Sequence, residues 1–215
     1  MPIEDILYRN DDDVRSGEGQ EMQRRVVCPT AALVTALAVL LAGKGTLAQE
    51  HLFEAMGMAK VTGQKALDFT LSSVDGTQVS LQQYKGKVIF LNFWATWCIP
   101  CREEMPALEK LHHAYREQDL VVLAIDLKES AEQVKAFFQQ HALSFPSVID
   151  PNGSVFRAYS VTGMPTTYLI GRDGAILARG IGGRDWTRPE AHELIRELLQ
   201  KTQGASAGSS PVTSQ

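Results

Sequence analysis

Phe90-Leu91-Asn92-Phe93-Trp94-Ala95-Thr96-Trp97-Cys98-Ile99-Pro100-Cys101-Arg102-Glu103-Glu104-Met105-Pro106 is the stretch whose reading decides the fold. An apolar, β-branched and aromatic run breaks into Cys-x-x-Cys and then into charged residues at helical spacing. That order describes a buried strand delivering two thiols to the start of a helix. The thiolate is the reactive form of cysteine, and the unpaired N–H groups and positive dipole end of a helix N-terminus favour it. Cys98 is therefore read as the attacking thiol and Cys101, one turn further in, as the resolving one. The bland alternatives are a metal site or two inert core cysteines. Zinc normally takes four ligands, and the only paired histidines, His112 and His113, lie further down the helix with no second Cys-x-x-Cys. Copper(I) still suits two soft thiolates.

Outward from this stretch the pattern is strand and helix in alternation. Met105, Leu108, Leu111 and Tyr115 predict a helix from about Ile99 to Arg116, with Pro106 expected to kink it. Leu120 to Ile125 is a second continuous strand, so strand, helix and strand form a parallel crossover unit. Ser130 to Gln133 is a capping box opening a helix with Val134, Phe137 and Phe138 on its buried stripe. Ser147 to Ile149 is short and apolar, and Val155 to Tyr159 reads as a short helix. Upstream, Phe69, Leu71, Val79 and Leu81 alternate around Asp75-Gly76, a hairpin. Downstream, Thr166 to Ile170 and Ala175 to Arg179 flank Arg172-Asp173-Gly174, a second one. Thr187 to Glu190 reads as a capping box with Pro189 near the first helical position, opening a closing helix whose face is Ala191, Leu194, Ile195, Leu198 and Leu199.

The 215 residues suffice for one well-buried domain, and 44% hydrophobic with a net charge of −4 is an ordinary soluble balance. No basic patch interleaved with aromatics recruits nucleic acid. Residues 1–21 are acidic, with too little apolar periodicity to fold. Residues 22–48 run from Arg24-Arg25 through an aliphatic stretch to Thr46-Leu47-Ala48, the order of a secretory signal peptide. Cleavage after Ala48 and retention of residues 26–42 as a membrane anchor both remain open. Met22 makes a more natural start than Met1. Residues 49–65 are expected to be a linker, either a tether or a poorly packed helix, with residues 66–203 the folded domain and residues 204–215 a disordered tail. The third cysteine, Cys28, falls in the signal, which leaves Cys98 and Cys101 as the sole pair of a processed protein.

Residues 92–106, with Gly163-Met164-Pro165-Thr166-Thr167 downstream, resemble the TlpA/ResA-like branch of the thioredoxin superfamily. The similarity runs from about Ala66 to Thr202. It implies an α/β thioredoxin fold: a mixed sheet flanked by helices, with an added N-terminal β-hairpin and a helical insertion. It also implies a cis Pro165 facing the cysteines, although spacing alone leaves trans as the default. The backbone of Met164 would then offer strand-like hydrogen bonds to a substrate polypeptide. Glu104 matches an acidic residue that modulates proton transfer at the thiol pair in ResA-like members. Its alternative is an exposed carboxylate that stabilises the helix dipole. Asn92 stands where ordinary thioredoxins have a buried acid, which moves any proton handling towards Glu104 or water. Trp97 is expected as a partly exposed lid on Cys98, Ile99 as an apolar contact, Pro100 as shaping the helix start, and Thr166 beside Met164 as a substrate contact. Trp94 is expected in the core.

These readings point to an exported thiol–disulfide oxidoreductase with no cofactor and no metal, acting as a monomer. The resemblance supplies its partners: disulfide-containing exported proteins of the cytochrome c or copper-site type, and a membrane thiol that donates electrons. A net oxidant or isomerase would use the same residues, and a Cu(I) carrier the same thiols. A peroxidase fits less well, because Thr96-Trp97-Cys98 departs from the Thr-x-x-Cys spacing of peroxide-reducing relatives.

Overall fold

The computed structural model describes residues 49–201; the expected leader, signal or anchor and tail fall outside them. The described residues form one eight-stranded mixed sheet. Its centre is β4 (Val88–Trp94), which pairs in parallel with β5 (Leu120–Leu127) and antiparallel with β7 (Thr166–Ile170). Between β4 and β5 runs α2 (Ile99–Tyr115), which continues without a break through Pro106. Beyond β5 lie α3 (Ala131–Gln140) and then β6 (Ser147–Asp150), parallel to β5, followed by the short α4 (Ser154–Ala158). The hairpin β2 (Thr70–Ser73) and β3 (Gln78–Ser80) extends the β6 edge. At the other edge β8 (Ile176–Ile181) pairs antiparallel with β7, and β1 (Ala59–Lys60) with β8. The closing helix is α5 (Pro189–Lys201). This is the thioredoxin fold with its N-terminal hairpin and insertion, as the resemblance implied.

Every residue of β4 is buried, so its alternation sorts side chains between two cores. Val88, Phe90 and Trp94 face α2 and α5, whose Leu108, Leu111, Leu194 and Ile195 complete the first core. Ile89, Leu91 and Phe93 face the hairpin and α4, against Phe69, Leu71, Phe156 and Tyr159. Asn92 shares the parity of Phe90 and Trp94, which sends a polar side chain into the α2 side. Asp126 on β5 does the same. The capping box at Ser130 and Gln133 forms as its sequence predicts. The one expected at Thr187 does not, because the Thr187 hydroxyl donates to Asp185 and the His192 N–H bonds the carbonyl of Arg188.

Residues 49–65, expected as a linker, are largely built into the domain. A helix, α1, occupies residues 49–55. It ends in a Schellman turn, with the Met58 N–H on the Phe53 carbonyl, the Gly57 N–H on the Glu54 carbonyl, and Gly57 at φ +60°. Leu52, Phe53, Met56 and Met58 are all buried in the first core. At about 1.5–3 kcal/mol for each fully buried side chain, that burial offsets a large part of the entropy lost in ordering the segment.

Candidate active site

The loop leaving β4 carries the thiols to the head of α2. Cys98 is the N-cap, its N–H bonded to the Ala95 carbonyl, and Pro100 lies in the first turn. Proline lacks an N–H, so the orphan donors of this helix start come from its neighbours, including Cys101. Cys98 and Cys101 are joined as a disulfide. Cys101 is fully buried and Cys98 nearly so, whereas Trp97 and Ile99 beside them are 61% and 66% exposed. Arg102 sits 6.0 Å from the centre of the Phe137 ring.

Opposite in the sheet, the Met164–Pro165 peptide is cis. Thr166 pairs with Phe93 in the β4–β7 register, so Pro165 and the loop after Trp94 meet at the same end of the sheet. Met164 is half-buried and packs on both cores. Thr166, expected to touch substrate, is instead fully buried with its hydroxyl donating to the Gly163 carbonyl, which braces the cis-proline turn. Trp94 is in the core, as expected, against Phe137 and Phe138.

Glu104 is not the exposed carboxylate of the alternative reading; only 3% of it reaches solvent. Three donors converge on it: Asn92 Nδ2 at 2.8 Å on Oε1, and on Oε2 the Trp186 indole N–H at 3.2 Å and the Arg184 backbone N–H at 3.3 Å. Burial nevertheless wins, pushing its pKa up to about 7 against the pull of these bonds and of the Arg184 charge. The carboxyl is thus poised to gain or lose a proton near neutrality. It borders a cleft of about 490 Å³ between the head of α2 and residues 183–187. A larger cleft, of about 750 Å³, lies against Tyr159, Tyr168 and Arg179 and has no cysteine in its walls.

A second acid sits under the thiol-bearing loop. Asp126 is fully buried, accepts the Glu129 N–H at 3.0 Å, and is held well above the usual carboxylate range by burial and by the neighbouring Glu129. Glu129 in turn accepts the Thr96 N–H at 2.5 Å and the Thr96 hydroxyl. Among the described residues no group of three or more His, Cys, Asp and Glu side chains is arranged to hold a metal.

A thioredoxin-fold sheet with a Cys-x-x-Cys at a helix start and a cis-proline beside it defines a dithiol–disulfide exchange protein. The AhpC/TSA family matches residues 62–179. A thiol–disulfide oxidoreductase ResA of Geobacillus kaustophilus is 39% identical over 154 residues, 72% of this chain and 86% of that protein. The ResA of Bacillus thuringiensis is 35% identical over 136 residues, 63% of this chain and 78% of its own length. Among solved structures, a Chlorobium tepidum protein described as the thiol:disulfide interchange protein DsbE superposes with a TM-score of 0.60 at 33% identity, covering 66% of this chain and 99% of that one. The chain belongs to the AhpC/TSA family and, within it, to the ResA-like thiol–disulfide oxidoreductases.

Proposed function

We propose that this oxidoreductase is exported and reduces disulfides of other exported proteins through a mixed disulfide. The observation that carries the reading is the nearly buried Cys98 at the helix N-cap, flanked by exposed Trp97 and Ile99 and sharing a sheet end with Met164 and cis Pro165. In the reduced protein the Cys98 thiolate attacks one sulfur of a substrate disulfide. A Cys98–substrate bond forms, the substrate disulfide breaks, and the leaving substrate thiolate takes a proton. Cys101, after losing its proton, attacks Cys98 Sγ; the Cys98–Cys101 disulfide forms and the second substrate thiolate leaves. Two electrons pass to the substrate, and a membrane dithiol restores the pair.

Glu104, three residues after Cys101 and titrating near neutrality, takes the Cys101 proton in this scheme. Trp97, Ile99 and Pro100 form the apolar rim that meets the substrate, and the Met164 backbone pairs with its chain. Thr166 holds that turn from behind. No helix among the described residues is long and apolar enough to cross a membrane.

A Cys101→Ser variant, expressed with residues 22–48 in place, tests the reading by trapping substrates on Cys98. Exported proteins of the cytochrome c or copper-site class are the expected catch. A reduction potential near about −120 mV would overturn the reductant direction, since strongly oxidising pairs lie there.

A further inference from the structure

Residues 181–186 form a strap across the head of α2. At its centre the half-buried Arg184 spends its side chain on backbone carbonyls. Nε donates to Met56 at 2.8 Å, Nη2 to Gly57 at 2.7 Å and Ile181 at 3.2 Å, and Nη1 to Gly182 at 2.6 Å. Four residues on, Arg188 donates to the Ala55 carbonyl at 3.1 Å. The carbonyl end of α1 is thus closed by two guanidinium groups, where cations are favoured. The fit is close: a Cβ on Gly180 would lie 2.5 Å from Arg184 Cζ, and one on Gly183 would lie 3.3 Å from Pro100 Cβ. The same strap aims the Arg184 N–H and the Trp186 indole at Glu104.

We propose that Arg184 is a positioning residue that fastens the 181–186 strap to the turn at Met56 and Gly57, and so makes the N-terminal helix part of the Glu104 site. Without the clamp the strap loses its hold on α1, and the two donors to Oε2 lose their fixed direction. The segment that follows the export signal thereby acts on the proton chemistry of the dithiol. The other ionisable groups facing this cleft are Glu103, Lys110 and Asp185, with Cys101 one turn earlier on α2, and the neutral Asn92 and Trp186 side chains donate to Glu104 from the central strand and the strap. Arg184 is therefore the cation whose removal Glu104 feels most directly. This rests on Glu104 as the proton-handling group proposed above.

The test is the Glu104 titration midpoint, followed by carboxyl ¹³C NMR on the full-length chain, with Glu104→Gln used for assignment. Arg184→Ala is expected to raise the midpoint by about one pH unit, a tenfold change in proton affinity. Arg184→Gln, which drops the charge and the fork, shifts it similarly, and Arg184→Lys restores it only in part. Phe53→Ala, which unseats α1, also raises the midpoint, and combined with Arg184→Ala it adds little. Midpoints at the parent value in Arg184→Ala and Arg184→Gln overturn the proposal; if the alanine variant does not fold, parent values in the glutamine and lysine variants do so. A shift with Arg184→Ala but none with Phe53→Ala overturns the role of α1. If instead Glu104→Gln leaves the pH profile of disulfide exchange unchanged, the proton-handling role of Glu104 falls while the midpoint still decides the clamp.

Discussion

Asn92 Nδ2 donates to Glu104 Oε1 at 2.8 Å, linking the middle of the central strand to the second turn of the thiol-bearing helix. The other amide atom, Oδ1, is buried with no hydrogen-bond partner. A protonated Glu104 needs an acceptor for its O–H, and rotating the Asn92 amide would supply one. Asn92→Asp removes the neutral donor and sets two carboxyls against each other, so one of them keeps its proton well above pH 7. The variant should lose about 1–3 kcal/mol at pH 8 and recover part of it at pH 5, read by denaturant unfolding at both.

The stability of the parent protein carries the signature of Glu104. Its folded pKa of about 7 lies above the ordinary 4.5, so between these values the folded state binds more protons than the unfolded chain. Stability falls as pH rises through this window and is flat in this respect on either side of it. The full effect is on the order of 3 kcal/mol. Glu104→Gln should remove that slope, and unfolding curves from pH 4 to 9 would reveal a failure to do so.

Trp186→Phe preserves a ring edge-on to Phe90, now at 4.6 Å between centroids, while deleting the indole donor to Glu104. A loss of about 1 kcal/mol is expected, with a higher Glu104 midpoint. A midpoint that stays put would show that the indole bond does not hold the anion.

Asp126 follows the same sign as Glu104. Burial and Glu129 hold its proton on in the folded state, and Oδ2 has no hydrogen-bond partner. As with Glu104, that raised pKa makes stability fall as pH rises above the unfolded carboxylate range. Asp126→Asn should therefore stabilise the protein by about 1–2 kcal/mol above neutral pH and by less at pH 5. Thermal unfolding at the two pH values is the check.

Trp97 and Ile99 are mostly exposed, so replacing both with alanine should leave the unfolding temperature within a few degrees. The loss belongs in KM for protein disulfides, roughly tenfold for the pair, with reduction of a small disulfide hardly changed. Equal losses on both substrates would place these residues in the chemistry instead.

The thiol-bearing strand and helix were legible because each is read locally: apolar continuity, then Cys-x-x-Cys, then three- and four-residue spacing. The Ser130 capping box was legible for the same reason. What escaped depends on distant partners. Trp186 reaches Glu104 across 82 positions, and Arg184 reaches Met56 across 128; no spacing rule joins them. Helix α1 has only two turns of apolar residues beside a signal-like segment, and its one local sign is Gly57, the left-handed residue of its C-terminal turn. Thr187 to Glu190 misled because Asp185, two residues earlier, competes for the threonine hydroxyl.

The sheet ends on one side in the two residues of β1 and on the other in the three of β3. Such narrow margins give a neighbouring molecule little unpaired backbone on which to polymerise. The sheet is thus poorly templated for edge-to-edge association with a second copy of itself.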